Sequence, residues 1–209
     1  MSAGADSSSR RDYVVIVSGL PRSGTSMMMK MLEAGGVPAI TDGLREADED
    51  NPLGYYEFEP AKKIKADSSW LEDARGKAVK MVYQLLYDLP TTGFEYRVLF
   101  MRRALPEVLA SQRKMLERMG KDPNAVPDEV MARMFRSQLA KFEAWVAEQP
   151  SFRILDIDYN AMMADPEQPI LAINDLLGGD MNVDAMRGVI QPSLYRNRGA
   201  DLNAGAGVS

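Results

Sequence analysis

Residues 13–18 read Tyr-Val-Val-Ile-Val-Ser, residues 19–26 read Gly-Leu-Pro-Arg-Ser-Gly-Thr-Ser, and residues 27–32 read Met-Met-Met-Lys-Met-Leu. The first piece is an apolar run rich in β-branched residues, which is typical of a strand buried on both faces. The last piece contains good helix formers and no Gly or Pro, so it predicts a helix. Backbone N–H groups of the turn between them and the helix N-terminus point at the same place, so this stretch predicts an anion-binding site.

The spacing of the turn follows the Walker A pattern G-x-x-x-x-G-K-[ST] with one departure. Gly19 and Gly24 enclose four residues and Ser26 takes the hydroxyl position, but Thr25 stands where the lysine is expected. That lysine neutralises the β- and γ-phosphates during phosphoryl transfer, so its absence argues against an ordinary ATP- or GTP-cleaving enzyme. Arg22 supplies a cation within the loop, as a planar donor able to hold sulfonate or phosphate oxygens.

The loop, and above all its Pro-Arg-Ser-Gly-Thr-Ser form, resembles the phosphosulfate-binding loop of sulfotransferases that use 3′-phosphoadenylyl sulfate (PAPS), particularly the bacterial and tyrosylprotein branches. The resemblance implies a P-loop α/β fold, with PAPS as sulfuryl donor and adenosine 3′,5′-bisphosphate as its product. It also implies that the donor's 5′-phosphosulfate binds along the loop, at Pro21, Arg22, Ser23, Gly24, Thr25 and Ser26. The alternative interpretation is a generic P-loop or an incidental glycine turn.

A second candidate pair lies about eighty positions later in the chain. Residues 96–101 predict a strand, Arg103 follows it, and Pro106 opens a helix that contains Ser111. The serine comes eight positions after the arginine, so the two side chains are expected to converge above the sheet. This spacing resembles the sulfotransferase element that binds the donor's 3′-phosphate. The chain departs from the family form in that its proline comes three residues after Arg103 and not two.

The choice of a catalytic acid or base is restricted because the chain contains no His and no Cys. Proton abstraction must therefore use a carboxylate, a lysine or a tyrosine, and thiolate metal sites are excluded. Residues 41–57 are acidic and contain Gly and Pro, which predicts either a solvated loop or a substrate-side loop. Residues 51–57 resemble a stretch of small bacterial sulfotransferases, which favours Glu57 as catalytic base over Glu46, the nearer match to the acid of the tyrosylprotein branch.

Three further cations are candidates for contact with the nucleotide. Lys80 lies in the predicted strand over residues 77–82, and the resemblance implies that it stabilises the leaving phosphate, although a strand-edge lysine is an equal alternative. Arg196 and Arg198 lie in a late basic segment of the kind that closes over the nucleotide in related enzymes; the alternative is a solvated tail. Together with the loop N–H groups, Arg22 and Lys80 are expected to stabilise the charge that develops during transfer.

Two other function classes stay open at this point. Residues 152–159 predict an apolar strand with Asp156 and Asp158 at its end, which is also typical of a Walker B element that holds Mg²⁺ in a small-metabolite kinase. The second alternative is a nucleotide-binding protein without catalytic activity.

Length and composition predict one α/β domain over residues 12–199, with a disordered leader over 1–11 and a flexible tail over 200–209. Alternating strands and helices predict a parallel sheet with helices on both faces, one of them over residues 59–74. No apolar run is long enough to cross a bilayer, and a cytoplasmic protein is expected. The net charge of −5 argues against a broad nucleic-acid surface. The resemblance implies transfer to a hydroxyl or amine of an acceptor that is a small molecule, a glycan or a peptide.

Overall fold

A computed structural model describes residues 11–43 and 54–190. Its four strands form one parallel sheet in the order β2-β1-β3-β4. In chain order the elements are β1 (Val14–Gly19), α1 (Thr25–Ala34), α2 (Glu59–Lys62), a 3₁₀ helix (Ser69–Leu71), β2 (Ala78–Lys80), a second 3₁₀ helix (Tyr83–Asp88), β3 (Tyr96–Arg102), α3 (Leu105–Arg118), α4 (Asp128–Val146), β4 (Phe152–Asp158), α5 (Tyr159–Ala164), α6 (Glu167–Leu176) and α7 (Val183–Gly188).

Strand β1 lies inside the sheet, and all six of its residues are buried. Its side chains alternate between two apolar clusters, with Val15 and Val17 in one cluster and Val14 and Ile16 in the other. This alternation follows from the two-residue repeat of a strand, and burial on both sides explains the unbroken apolar run.

Helices cover both faces of the sheet. On one face, Met28 of α1, Ile173 of α6 and Met186 of α7 belong to the cluster that contains Val15 and Val17. On the other face, Phe142 of α4 stacks on Phe100 of β3, with ring centroids 5.1 Å apart. The predicted α/β fold with a helix-flanked parallel sheet is confirmed.

Three side chains at the amino end of the sheet bind the last carbonyl groups of α6. Arg11 Nε and the Tyr13 hydroxyl donate to the Leu177 carbonyl at 3.3 and 2.7 Å, and Arg97 Nη1 donates to the Leu176 carbonyl at 2.9 Å. The last carbonyls of a helix have no partner within the helix and carry its negative dipole end, so cationic donors satisfy them well. Arg11, the first described residue, is already buried.

The prediction of one helix over residues 59–74 is wrong. Helix α2 ends at Lys62, turns follow, and residues Ser69–Leu71 form a 3₁₀ helix. The Asp67 carboxylate accepts a hydrogen bond from the Ser69 N–H at 2.9 Å. Such a local side-chain bond offers the backbone an alternative to helix formation, and it accounts for the break.

The carboxyl ends of three neighbouring strands meet at one edge of the sheet. Gly19 ends β1, Lys80 ends β2 and Arg102 ends β3; in the ladder Lys80 lies beside Val17, and Met101 beside Gly19. Ligands of open parallel sheets bind outside this edge, so it positions the candidate site.

Candidate functional site

The loop between β1 and α1 depends on two glycines. Gly19 has φ +145°, and a Cβ built there would lie 2.6 Å from the Met101 carbonyl oxygen. Gly24 has φ +100°, and a Cβ there would lie 2.4 Å from a ring carbon of Tyr159. Neither position accepts a larger residue without movement of its neighbours. Gly24 is also the N-cap residue of α1 and offers no side chain to the first-turn N–H groups, which suits an anion there.

Within the loop, Ser23 is buried, and its hydroxyl donates to the Leu20 carbonyl at 2.7 Å, which closes the turn. Pro21 is exposed, and Thr25 and Ser26, the first two residues of α1, are half-buried. The Ser23 hydroxyl therefore holds the turn.

Arg22 links the loop to helix α3 through both its backbone and its side chain. It has φ +69°, a left-handed conformation that is uncommon for a residue with a Cβ. Its Nε donates to the Ser111 hydroxyl at 2.9 Å, and its carbonyl accepts from Arg103 Nη1 at 3.1 Å. The structure thus brings together the loop cation and the arginine–serine pair that the sequence predicted separately.

Arg103 is held by two groups besides the Arg22 carbonyl. Its Nε donates to a carboxylate oxygen of Glu107 at 2.9 Å, and its guanidinium lies over the Tyr159 ring, 4.6 Å from the centroid. Asn160 Nδ2 donates to the other oxygen of Glu107 at 2.9 Å. The Arg103 and Glu107 side chains are 8% and 2% exposed, so they form a buried ion pair.

Sequence reasoning missed Glu107, Tyr159 and Asn160. Glu107 was detectable, because it comes four positions after Arg103, a spacing at which opposite charges pair where the backbone between them turns as in a helix. Tyr159 and Asn160 gave no local signal, since they reach the loop only through the packing of the β4–α5 junction.

Lys80 belongs to the same edge of the sheet. Its Nζ donates to the Tyr55 carbonyl and lies 5.9 Å from the centroid of the Tyr55 ring. Tyr55 is buried, so the lysine ties residues 54–58 to the end of β2. A cation at the end of a strand next to β1 suits an anionic ligand.

Glu57 lies beside a lysine. One of its carboxylate oxygens is 3.0 Å from Lys62 Nζ, and its carbonyl accepts from the Thr41 hydroxyl and the Asp42 N–H, both at 3.0 Å. The Glu57 side chain is 26% exposed. Burial of this carboxylate is therefore only partial. Lys62 has its own pKa raised, first by Glu59 and then by Glu57.

Tyr56 is excluded as a base near neutral pH. Its hydroxyl donates to a carboxylate oxygen of Glu33 at 2.9 Å. Burial above all, and then the hydrogen bond and charge of Glu33, raise the pKa of Tyr56 far above its ordinary value, so the phenol stays protonated.

Three predicted site residues, Glu46, Arg196 and Arg198, lie outside the described residues.

The two aspartates of the kinase alternative have other partners. Arg102 Nε donates to Asp156 at 2.8 Å, and the Asp158 carboxylate accepts from the Ala161 N–H at 3.0 Å as the N-cap of α5. Over residues 11–43 and 54–190, no three acidic side chains form a group that could hold a metal ion. No observation in this region favours a Walker B role for either aspartate.

Comparison with solved structures reports on the fold. A sulfotransferase from Mycobacterium tuberculosis H37Rv is 17% identical and superposes with a TM-score of 0.50 over 92% of this chain and 74% of its own. The sulfotransferase domain of the Synechococcus PCC 7002 olefin synthase is 15% identical, with the same TM-score over 92% of this chain and 83% of its own. The chain shares the fold of these sulfotransferases. No family model and no curated protein matches its sequence.

None of the helices described for residues 11–43 and 54–190 has the length and hydropathy needed for a membrane span.

Proposed function

We propose that this protein transfers the sulfuryl group of PAPS to a hydroxyl or amine of an acceptor. The observation that carries the proposal is the direct bonding of Arg103 and Ser111 to Arg22. A phosphate loop without the Walker lysine and an arginine–serine pair thereby share one hydrogen-bonded cluster at the ligand-binding edge of the sheet. A nucleotide with anionic groups at both its 3′ and 5′ positions requires two such sites close together. The fold shared with solved sulfotransferases supports the same function.

In this proposal both ends of PAPS bind near the cluster formed by Arg22, Arg103 and Ser111. The 5′-phosphosulfate would bind along the loop and the N-terminus of α1, where backbone N–H groups and Arg22 are available to anionic oxygens. The 3′-phosphate would bind at Arg103 and Ser111. In this proposal Arg196 and Arg198 close over the nucleotide.

The donor, when bound, supplies an activated sulfuryl group and a bisphosphate leaving group. The chain supplies fixed donors, because the loop N–H groups, Arg22 and Lys80 can stabilise the negative charge that develops on transfer. Arg22 at present donates to Ser111, and Lys80 to the Tyr55 carbonyl. A bound donor must therefore share or displace these partners.

Glu57 is the proposed base, with Glu46 as the second candidate. The ionised carboxylate is the form that accepts a proton, and the Lys62 ammonium group lies 3.0 Å from Glu57. A carboxylate so paired is a weak base, so the proposal requires the acceptor to separate Glu57 from Lys62 or to shield both from water.

Calorimetric titration with adenosine 3′,5′-bisphosphate and with ATP tests the proposal without knowledge of the acceptor. We expect the bisphosphate to bind at least about ten-fold more tightly than ATP, since only the bisphosphate offers a 3′-phosphate to Arg103 and Ser111. ATP binding that is tighter and depends on Mg²⁺ would instead establish the kinase alternative. Transfer of ³⁵S-labelled sulfuryl from PAPS to an acceptor panel then separates an enzyme from a non-catalytic nucleotide-binding protein.

A further inference from the structure

Glu107 is a buried carboxylate at the start of α3. It is 2% exposed, and each of its oxygens accepts one hydrogen bond, from Arg103 Nε and from Asn160 Nδ2. Burial of an ionised carboxylate is unfavourable unless it is paired and hydrogen-bonded.

Glu107 binds one particular edge of the Arg103 guanidinium. Because the carboxylate bonds to Nε, it sets the rotation of the planar group and hence the direction of both terminal nitrogens. The Tyr159 ring lies against the guanidinium, 4.6 Å from its centroid to Cζ, and Nη1 donates to the Arg22 carbonyl. The arginine is thus fixed on three sides.

Asn160 fixes the carboxylate in turn. Its Nδ2 donates to Glu107, and its Oδ1 accepts from the Ala104 N–H at 3.3 Å, next to Arg103 in the chain. The β4–α5 junction therefore binds both the carboxylate and the backbone that carries the arginine.

We infer that Glu107, supported by Asn160, is a positioning residue that orients Arg103 toward the 3′-phosphate of the nucleotide. This inference rests on the proposed function. Glu107 acts through Arg103 and has no contact with the reacting atoms in this assignment. It should therefore affect recognition of the 3′-phosphate and leave recognition of the 5′-phosphate nearly unchanged.

Glu107→Gln tests this role with little change in side-chain volume. A Gln side chain presents one acceptor and one donor group, whereas Arg103 and Asn160 both donate, so one of the two bonds must be lost. Glu117→Gln is the matched control, because Glu117 lies on the same helix, is exposed and carries the same charge.

Calorimetry with adenosine 3′,5′-bisphosphate and with adenosine 5′-monophosphate provides the functional readout. For Glu107→Gln we expect bisphosphate affinity to fall by about ten-fold or more and monophosphate affinity to change by less than about two-fold. Glu117→Gln should leave both affinities unchanged. Unaltered bisphosphate affinity, or an equal loss for both nucleotides, would overturn the assignment.

A measurement without nucleotide separates this inference from the proposed function. In NMR spectra the Arg103 Nε–H signal is identified by its loss in Arg103→Lys, and its exchange with solvent should be slow in the wild-type protein. We expect exchange at least about ten-fold faster in Glu107→Gln, since the charge-assisted bond is weakened. Equal exchange rates would refute positioning by Glu107. A wild-type protein that fails to bind the bisphosphate would refute the proposed function and leave the exchange result to decide the positioning role.

Discussion

Replacement of Gly24 by Ala tests the packing at the centre of the site. The glycine has φ +100°, and the added methyl group would lie 2.4 and 2.7 Å from two ring carbons of Tyr159. The positive φ costs roughly 1–2 kcal/mol for a residue with a Cβ. The contact adds about 1–3 kcal/mol, the usual range for an overpacked interior. We therefore expect Gly24→Ala to lower the free energy of unfolding by about 2–5 kcal/mol.

Gly36→Ala separates the two contributions. Gly36 has φ +96°, close to that of Gly24, but nothing lies within 4 Å of a Cβ built there. This variant should lose only the backbone contribution of roughly 1–2 kcal/mol. The difference between the two variants isolates the contact with Tyr159.

Urea unfolding followed by circular dichroism and by tryptophan fluorescence provides the measurement, and agreement of the two probes checks two-state behaviour. Gly24→Ala should also weaken binding of adenosine 3′,5′-bisphosphate, because displacement of Tyr159 disturbs Arg103. Equal losses of stability in the two variants, within about 0.5 kcal/mol, would show that the loop and the β4–α5 junction are not tightly packed.

Three further predictions concern the chemistry of the site. Glu57→Gln should reduce sulfuryl transfer by about 100-fold or more and leave bisphosphate binding nearly intact. The control Glu59→Gln, which changes a neighbouring carboxylate, should retain turnover. Equal turnover in the two variants would exclude Glu57 as the base. Ser111→Ala should weaken bisphosphate binding about five-fold by calorimetry, through loss of one hydrogen-bonding hydroxyl, and unchanged affinity would place the 3′-phosphate elsewhere. The pKa of Tyr56 is raised above its ordinary 10.0 by burial and then by Glu33, so the folded protein keeps a proton that the unfolded chain loses. Stability must then decline as the pH rises above about 10, and Tyr56→Phe should make that decline shallower in alkaline unfolding curves.

The central strand, the glycine-bounded loop and the position of the arginine–serine pair beside it were predictable because their signals are local. A β-branched apolar run, two glycines five positions apart and an eight-residue spacing each determine geometry within one element or across one turn. The parallel sheet followed from the alternation of such elements. These features required no knowledge of distant contacts.

The surroundings of Arg103 could not be predicted from local sequence patterns. Tyr159 lies more than fifty positions from Arg103 in the chain, and its contact with Gly24 depends on how β4 and α5 pack beside the loop. The helix predicted over residues 59–74 failed because Asp67 forms a local turn bond that outweighs moderate helix propensity. Tertiary packing therefore determines the surroundings of Arg103, whereas a local side-chain hydrogen bond prevents the helix over residues 59–74.

The position of β1 has a consequence for synthesis on the ribosome. This strand comes first among the four described strands, yet its two neighbours in the sheet begin at Ala78 and Tyr96. The carbonyl group that Tyr13 binds comes later still, at Leu177 just after α6. The emerging polypeptide therefore presents an apolar, β-branched segment until both pairing partners, the second of which ends at Arg102, have been synthesised. Late pairing of β1 with its neighbours slows folding and exposes the nascent chain to aggregation. Chaperone binding to the segment that contains β1 is therefore expected to govern the yield of native protein.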